Sequence, residues 1–259
     1  MGQASLSVSQ ALIIAIWVAA VESRSLGYAT LNLRFSPLMT GLVVGIVMGD
    51  VPNAMIIAAS IQMIYMGLVA PGGNLPSEPA VATAIAVPVA LLAGLKPTAA
   101  ISVAVPVGLL GNYLYQVRYL MNTFVIRLTD KYAAETNDKG LTLSIIVIPI
   151  ITSFALFVPS MFIALYYGAP VIASFTSSFS GSLFFHVLDV VGGGLAALGI
   201  ALTLKVIGKK QYLIFFMLAY FMAVMLKPLK ISTVTFAVVG VIVAYLFTLA
   251  TSSKESEKW

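Results

Sequence analysis

PGGNLPSEPAVAT, residues 71–83, is a polar stretch rich in Gly and Pro, set inside a chain that is otherwise mostly apolar. It carries one carboxylate, Glu78. Before it, residues 55–70 are apolar apart from Ser60, Gln62 and Gly67. After it, residues 80–95 are apolar again, with Thr83 as the polar side chain. Irregular backbone exposes N–H and C=O groups that lipid cannot satisfy. At membrane depth it is tolerated only where protein buries it or water reaches it. A hydrophobic segment broken by a polar turn is also the best sequence pointer to a transporter's binding site. The plain alternative is an extramembrane loop between two helices, and the rest of the chain has to choose.

Of 259 residues, 60% are hydrophobic and 9% charged, and the mean hydropathy is +1.04. A soluble domain carries about a quarter charged residues, so this is an integral membrane protein. The apolar runs are long and show no strand-like alternation, which points to helices. The expected fold is therefore all-α: a polytopic helical membrane protein with re-entrant or broken hairpin segments. The net charge of +5 fits basic cytoplasmic loops rather than nucleic-acid binding. There is no cysteine, and one histidine, His186. Thiolate chemistry and histidine-cluster metal sites are excluded. No Walker motif, Ser–His–Asp triad or metal-ligand spacing occurs, so no catalytic residue, metal or cofactor is expected. The start, MGQASLSVSQALIIAIW, has no Lys or Arg ahead of its apolar run and reads poorly as a signal peptide.

The chain reads as a single membrane domain, residues 1–259. Residues 1–36 form an N-terminal interfacial or short helical region. In it the apolar run 8–21 is short for a span and ends at Glu22, and 27–35 is a polar link with Arg34. Residues 37–117 form the half with the glycine helix and the polar hairpin. Gly41, Gly45 and Gly49 recur every four residues and predict a helix-packing face. Pro52 predicts the end of that helix near Asp50, with Asn53 capping the next. Residues 118–140 carry Arg118, Arg127, Asp130, Lys131, Glu135, Asp138 and Lys139. Their end reads as a surface-lying amphipathic helix or docking loop. Residues 141–251 hold the C-terminal spans, with 168–182 as a small Ser-rich loop, and 252–259 is a charged tail. The positive-inside rule makes the C-terminus cytoplasmic.

Ionisable residues bordering apolar runs are functional candidates by default. Here they are Glu22, Asp50, Glu78 and Asp189. No basic residue lies at helical contact spacing from Glu78. His186 stands three residues before Asp189, where the two can pair on one face; an interior or interfacial packing role is the plainer reading. Gln62 and Tyr65 share a helical face, and Gln62 needs a partner, which is either another helix or a sugar hydroxyl. Gly192-Gly193-Gly194 is either a close-packing face or an unwound turn.

GLVVGIVMGD (residues 41–50), IQMIYMG (61–67), GGNLPSEPAVAT (72–83) and DVVGGGLAALGIAL (189–202) together resemble the IIC membrane component of the mannose-type bacterial phosphotransferase system, the mannose/fructose/sorbose and N-acetylhexosamine family. The resemblance runs from about the first apolar run to the last span. It implies a multi-pass subunit of the bacterial inner membrane that passes a sugar across the bilayer. Phosphorylation falls to cytoplasmic IIA and IIB phosphocarriers, so the chain itself is not an enzyme. It also implies a second membrane subunit, IID, and a trimer of IIC–IID heterodimers. Carried onto this chain, the family's substrate-binding positions fall on Asp50, Gln62, Asn74 and Glu78, with Glu22 and Tyr65 as possible further contacts. The amide at Gln62 widens the substrate class from mannose to an amino or N-acetyl hexosamine. The alternatives are a stand-alone ion-coupled transporter and a structural or receptor-like membrane subunit.

Overall fold

The computed structural model describes residues 5–23, 25–66, 77–178, 183–207, 209, 212–229 and 231–256. Residues 67–76, the greater part of the expected polar hairpin and Asn74 with it, lie outside the described residues. The chain divides into two compact units, Met1–Leu204 and Lys205–Trp259. All regular structure among the described residues is helical, so the expectation of an all-α membrane protein holds.

The first unit is built on short helices. α1 (Val8–Glu22), α3 (Pro37–Met48), α4 (Val51–Tyr65) and α5 (Pro79–Ala93) are 12 to 15 residues long. At 1.5 Å per residue that is about 18–22 Å, well below the ~30 Å hydrocarbon core. Such segments cannot span alone. They bury one another instead. α1 turns Ala11, Ile14, Ala15 and Val18 inward, the spacing of one helical face, and all four are fully buried. The run 8–21 is therefore a core helix rather than an interfacial one. The link 27–35 contains a short helix, α2 (Ala29–Arg34).

α5 is the centre. Every residue from Pro79 to Ala90 is buried, and the helix touches α1, α2, α3, α4, α6 (Pro97–Ala134) and α9 (Ala169–Ser178). A helix apolar on all sides has to be enclosed. Its alanines make that enclosure close, because small side chains let neighbouring backbones approach. α3 and α4 meet through the same device. A Cβ added at Gly41 would meet the Ala58 methyl, and one at Gly45 would come within 2.8 Å of the Ala54 methyl and 2.9 Å of Val51 Cα. Gly49 does not share that face. It adopts a left-handed φ of +76° with open space around it and ends the helix. Asp50, not Asn53, caps α4. Its carboxylate accepts the Asn53 backbone N–H at 3.3 Å and the Asn53 side-chain N–H at 2.8 Å.

α6 has 38 residues and runs unbroken past Arg118 to Ala134. The change of character at residue 118 is thus a change of surface along one helix. At about 57 Å the helix outruns the hydrocarbon core, and its last turns carry Arg127, Asp130 and Lys131. α7 (Asp138–Thr142), α8 (Ile148–Ile163) and α9 make one continuous rod, joined by π-helical turns at Leu143–Val147 and Ala164–Gly168. Each π-turn is followed at once by an X-Pro pair, Ile148-Pro149 and Ala169-Pro170. A proline lacks an N–H, and its ring clashes with the carbonyl four residues back. Here Ile148 N–H bonds the Leu143 carbonyl and Ala169 N–H bonds the Ala164 carbonyl, five residues back in each case. The widened turn absorbs the proline and the helix continues. This is why 168–178 is helix, where the composition predicts a loop. α10 (Leu183–Ile207) is helical straight through Gly192–Gly194, which excludes an unwound turn. Its close approach is made at Gly199, where a Cβ would strike the Met63 carbonyl of α4.

Among the described residues, two stretches are long and apolar enough to cross a bilayer by length and composition, Pro97–Ala134 and Asp138–Ile172. The second unit holds α11 (Leu213–Met225) and α12 (Thr233–Ser256), joined through a 3-10 turn at Lys227–Leu229. Tyr212 and Phe215 pack their rings on Phe247 with centroids 5.9 and 5.2 Å apart. The outward faces of both helices carry large apolar side chains such as Ile214, Phe221, Val241 and Leu246, as lipid contact requires. The helical span of α12 takes in residues 252–256 of the expected tail.

Gly41→Val should lower stability by about 1–3 kcal/mol through overpacking, read as a lower melting temperature in detergent. Gly168→Ala, with nothing within 4 Å of the added Cβ, should not lower it. Equal melting temperatures for both variants would remove the packing role of Gly41.

Candidate functional site

Three segments distant in sequence meet at Arg34. The last residue of α1 is Glu22, the last of α2 is Arg34, and Glu78 sits directly before α5 at the foot of the polar hairpin. All three side chains are buried, Glu22 at 1%, Arg34 at 7% and Glu78 at 0% exposure. Arg34 Nε donates to Glu78 Oε2 at 3.0 Å, and Arg34 Nη2 donates to Glu78 Oε1. This is the bidentate fork that a planar guanidinium makes with a carboxylate. Arg34 Nε also lies 3.0 Å from Glu22 Oε2. It has one hydrogen, and that hydrogen points to Glu78. Glu22 thus pairs with the guanidinium without receiving its Nε hydrogen, and its carboxyl lies beside that of Glu78.

α6 closes the site. The Tyr115 ring lies between two guanidiniums, with Arg34 Cζ 3.8 Å and Arg118 Cζ 4.4 Å from its centroid. Both are cation–π distances. Arg118 Nη1 donates to the main-chain carbonyl of Glu22, so it caps the C-terminal end of α1. Two carboxyl groups and two guanidiniums thus meet in one cluster.

The hairpin foot is seated by glycines. Glu78 N–H donates to the Gly108 carbonyl at 3.0 Å. A Cβ at Gly108 would collide with Ser77 Oγ and the Tyr65 hydroxyl, and one at Gly111 would come within 3.1 Å of Glu78 Cβ. Tyr65 and Ser77 share a hydrogen bond of 3.1 Å between their hydroxyls. Tyr65 is 7% exposed, so its ring is part of the core.

The residues expected at the site are only partly brought together. Glu22, Tyr65 and Glu78 converge on the foot of the hairpin. Gln62 lies one turn from Tyr65 and turns to α3, where Oε1 accepts the Leu38 N–H at 3.4 Å. That is an otherwise unpaired donor of the first turn of α3, and it answers the need of an amide in an apolar setting. Asp50 caps the opposite end of α4, about 22 Å away along the helix. Asn74 and the Asp189 side chain lie outside the described residues, and His186 is exposed. The spacing argument missed Arg34 as the partner of Glu78, because the pair is 44 residues apart. It also missed Arg118 and Tyr115. A hint was available: Arg34 is a lone cation in a short link between two apolar runs, where an unpaired charge is expensive.

Arg34→Met leaves two carboxylates in the interior and should cost about 3–5 kcal/mol of stability, measured by unfolding in detergent. Adding Glu78→Gln to that variant should recover part of the loss. Strictly additive losses would mean that the two residues do not act as a pair.

The geometry is that of a membrane-embedded polar site, and four similarities to known proteins bear on what it belongs to. A curated relative, the sorbose-specific EIIC component of the phosphotransferase system (PTS) from Klebsiella pneumoniae, is 22% identical over 211 residues, 82% of this chain and 78% of that protein. The same fold appears in a solved membrane protein with a TM-score of 0.69 and 21% identity, covering 95% of this chain and 97% of that one. It appears again in the mannose transporter ManYZ, solved in complex with microcin E492, with a TM-score of 0.57 and 19% identity over 95% of this chain and 96% of that one. The family model described as PTS system sorbose-specific IIC component matches residues 8–246. The chain therefore belongs to the sorbose-specific IIC family of the phosphotransferase system, whose members are sugar-transporting membrane subunits.

Proposed function

We propose that this subunit binds a hexose, or an amino or N-acetyl hexosamine, at the foot of its polar hairpin and passes it across the bacterial inner membrane. The sugar is phosphorylated on the cytoplasmic side by a IIB protein charged through IIA. A IID subunit completes the transport unit, as a trimer of IIC–IID heterodimers with the IIC C-terminus in the cytoplasm. In this reading the chain supplies the path and the phosphocarriers supply the chemistry.

The observation that carries the reading is Glu78. It is a fully buried carboxylate, fixed by a bidentate arginine, directly before the central helix. Interior ionisable groups of this kind mark substrate paths. Carboxylate and amide oxygens accept hydrogen bonds from pyranose hydroxyls, and apolar walls shape the rest of such a pocket. Asn74, from the hairpin, is the amide assigned to the same sugar. Gln62 and Asp50 then act at the flanking helices, Gln62 by fixing the start of α3 against α4. Motion of the hairpin and its flanking helices against the remaining scaffold provides alternating access.

The two buried carboxylates also invite a stand-alone ion-coupled transporter. Arg34 and Arg118 offset their charge, which weakens that alternative. In cells or vesicles, uptake should vanish when the phosphocarriers are removed; uptake that persists supports ion coupling instead. Glu78→Gln should weaken sugar binding to the purified IIC–IID pair by about tenfold or more, the effect of losing a charged hydrogen-bond partner worth roughly 1.5–3 kcal/mol. Unchanged binding would move the hairpin foot to a packing role.

A further inference from the structure

The rod formed by α7, α8 and α9 changes partner part-way along its length. α8 lies along α1 and also meets α6. Among the described residues, α9 packs on α5 instead. The exchange falls at the π-turn Ala164–Gly168, which touches both α1 and α5. The other π-turn, Leu143–Val147, is different. α6 meets α7, that turn and α8 alike, so the rod keeps one neighbour across it.

The winding of the rod accounts for the exchange. Ser153, Phe157, Met161, Leu165 and Ala169 stand four residues apart, and each is 1% exposed or less. An α-helix turns about 100° per residue, so a four-residue repeat drifts by about 40° at each step. The buried face therefore moves round the rod, from α1 toward α5. A turn closed five residues back winds less per residue. Placed between Leu165 and Ala169, it checks the drift and keeps Ala169 in the core.

The same turn is a weak point of the main-chain ladder. Ala169 N–H reaches back five residues to the Ala164 carbonyl, and Pro170 has no N–H to offer. Gly168 brings no side chain, and a Cβ there would meet nothing within 4 Å. Ile163 and Tyr167 are exposed, so the outer side of the turn is open within this chain. Helices bend sharply at prolines and π-turns because the ladder is interrupted there.

We propose that the π-turn Ala164–Gly168 is a hinge of the transport cycle, at which α9 moves with α5 while α8 stays on α1. This rests on the sugar-transport reading and assigns the place where the moving part meets the fixed one. Glu78 stands directly before α5 and travels with it; Glu22 ends α1 and stays behind. Hinges are a few element-terminal residues that absorb the change in main-chain angles, and Ala164–Gly168 lies between the end of α8 and the start of α9.

The test uses the full-length chain with its IID partner in lipid vesicles. Deleting Tyr167 removes the extra residue of the π-turn and lets an α-helical ladder run on. Gly168→Ala stiffens the turn more gently, alanine being the better helix former. Uptake of sorbose and mannose, calorimetric binding of the same sugars and melting temperature are measured for each. The Tyr167 deletion should cut uptake by about tenfold or more while binding stays within about twofold. Gly168→Ala should slow uptake by about two- to fivefold with binding and melting temperature unchanged. Wild-type uptake by both variants overturns the hinge. So does a loss of binding in step with uptake, which makes the turn part of the binding architecture alone. If the deletion variant melts early, distances in otherwise unaltered protein decide. The chain has no cysteine, so spin labels go on Ile13→Cys of α1 with Val171→Cys of α9, and on Ile13→Cys with Ile151→Cys of α8, all exposed positions. Saturating sugar should shift the first distance by more than about 2 Å, the size of an ordinary helix adjustment, and leave the second unchanged. Two unchanged distances, or two that shift alike, overturn the hinge and leave the transport reading standing. Wild-type protein that neither binds nor takes up either sugar overturns the transport reading, and the hinge with it.

Discussion

The buried arginine at position 34 is the constraint on which the first unit depends. A guanidinium out of water has to be matched in charge and in hydrogen bonds, or the fold loses several kcal/mol. Matching it draws together the end of α1 through Glu22, the short helix α2 and the foot of the hairpin through Glu78. Arg118 then ties the end of α1 to the middle of α6. Polar pairing inside a membrane protein has few competitors for these groups, so it specifies which segments meet as well as how firmly. The apolar contacts alone would allow many arrangements of short alanine-rich helices.

Those helices are short for a reason that also shapes the site. Segments of 12 to 15 residues expose helix ends at membrane depth, and each end leaves main-chain donors or acceptors unpaired. The chain meets this locally. Ser7 and Gln10 cap α1 reciprocally. Ser36 and Gln62 serve the start of α3, Asp50 serves α4, and Arg118 serves the end of α1. The broken architecture therefore generates polar side chains in the interior as a structural necessity. Some of them, Gln62 and Asp50 among them, are accounted for by capping. Glu22 caps no helix; its carboxyl pairs with the Arg34 guanidinium instead.

Much of this was legible in the residues. Composition alone specifies helices in a membrane. The four-residue glycine spacing predicts the α3–α4 contact, which Gly41 and Gly45 make, and the broken segment at residues 71–83 directs attention to Glu78. What local spacing cannot see is partnership across distance. Arg34 and Glu78 are separated by 44 residues and Glu22 and Arg118 by 96. No helical periodicity links them. The Ser-rich composition of 168–182 misled the reading for a different reason. Small polar residues usually announce a loop, but a π-turn of five residues carries the helix past Ala169-Pro170 and on to Ser178. Its marker is a long apolar run on both sides, which 141–178 has. Gly49 misled in turn because spacing records position and not conformation; its left-handed φ makes it a terminus.

The seating of the hairpin foot restricts how the site can open. Glu78 is joined to α6 by a main-chain bond to Gly108 and to α2 by Arg34, and Ser77 is joined to α4 by Tyr65. Gly108 and Gly111 give the foot its room: a side chain at Gly108 would displace Ser77 and the Tyr65 hydroxyl, and one at Gly111 would displace Val81 of α5 and press on Glu78. α5 leaves the foot, runs through the core and returns to α6 through a tight turn at Gly94, φ +62°. The foot, α5 and the first half of α6 are thus one mechanical piece. A movement that uncovers Glu78 has two routes. It can carry this whole piece past α1, α3 and α4, or it can release Arg34 from Glu78. The second route is eased by Glu22, already 3.0 Å from Arg34 Nε, because the arginine would exchange one carboxyl partner for another and never be left unpaired.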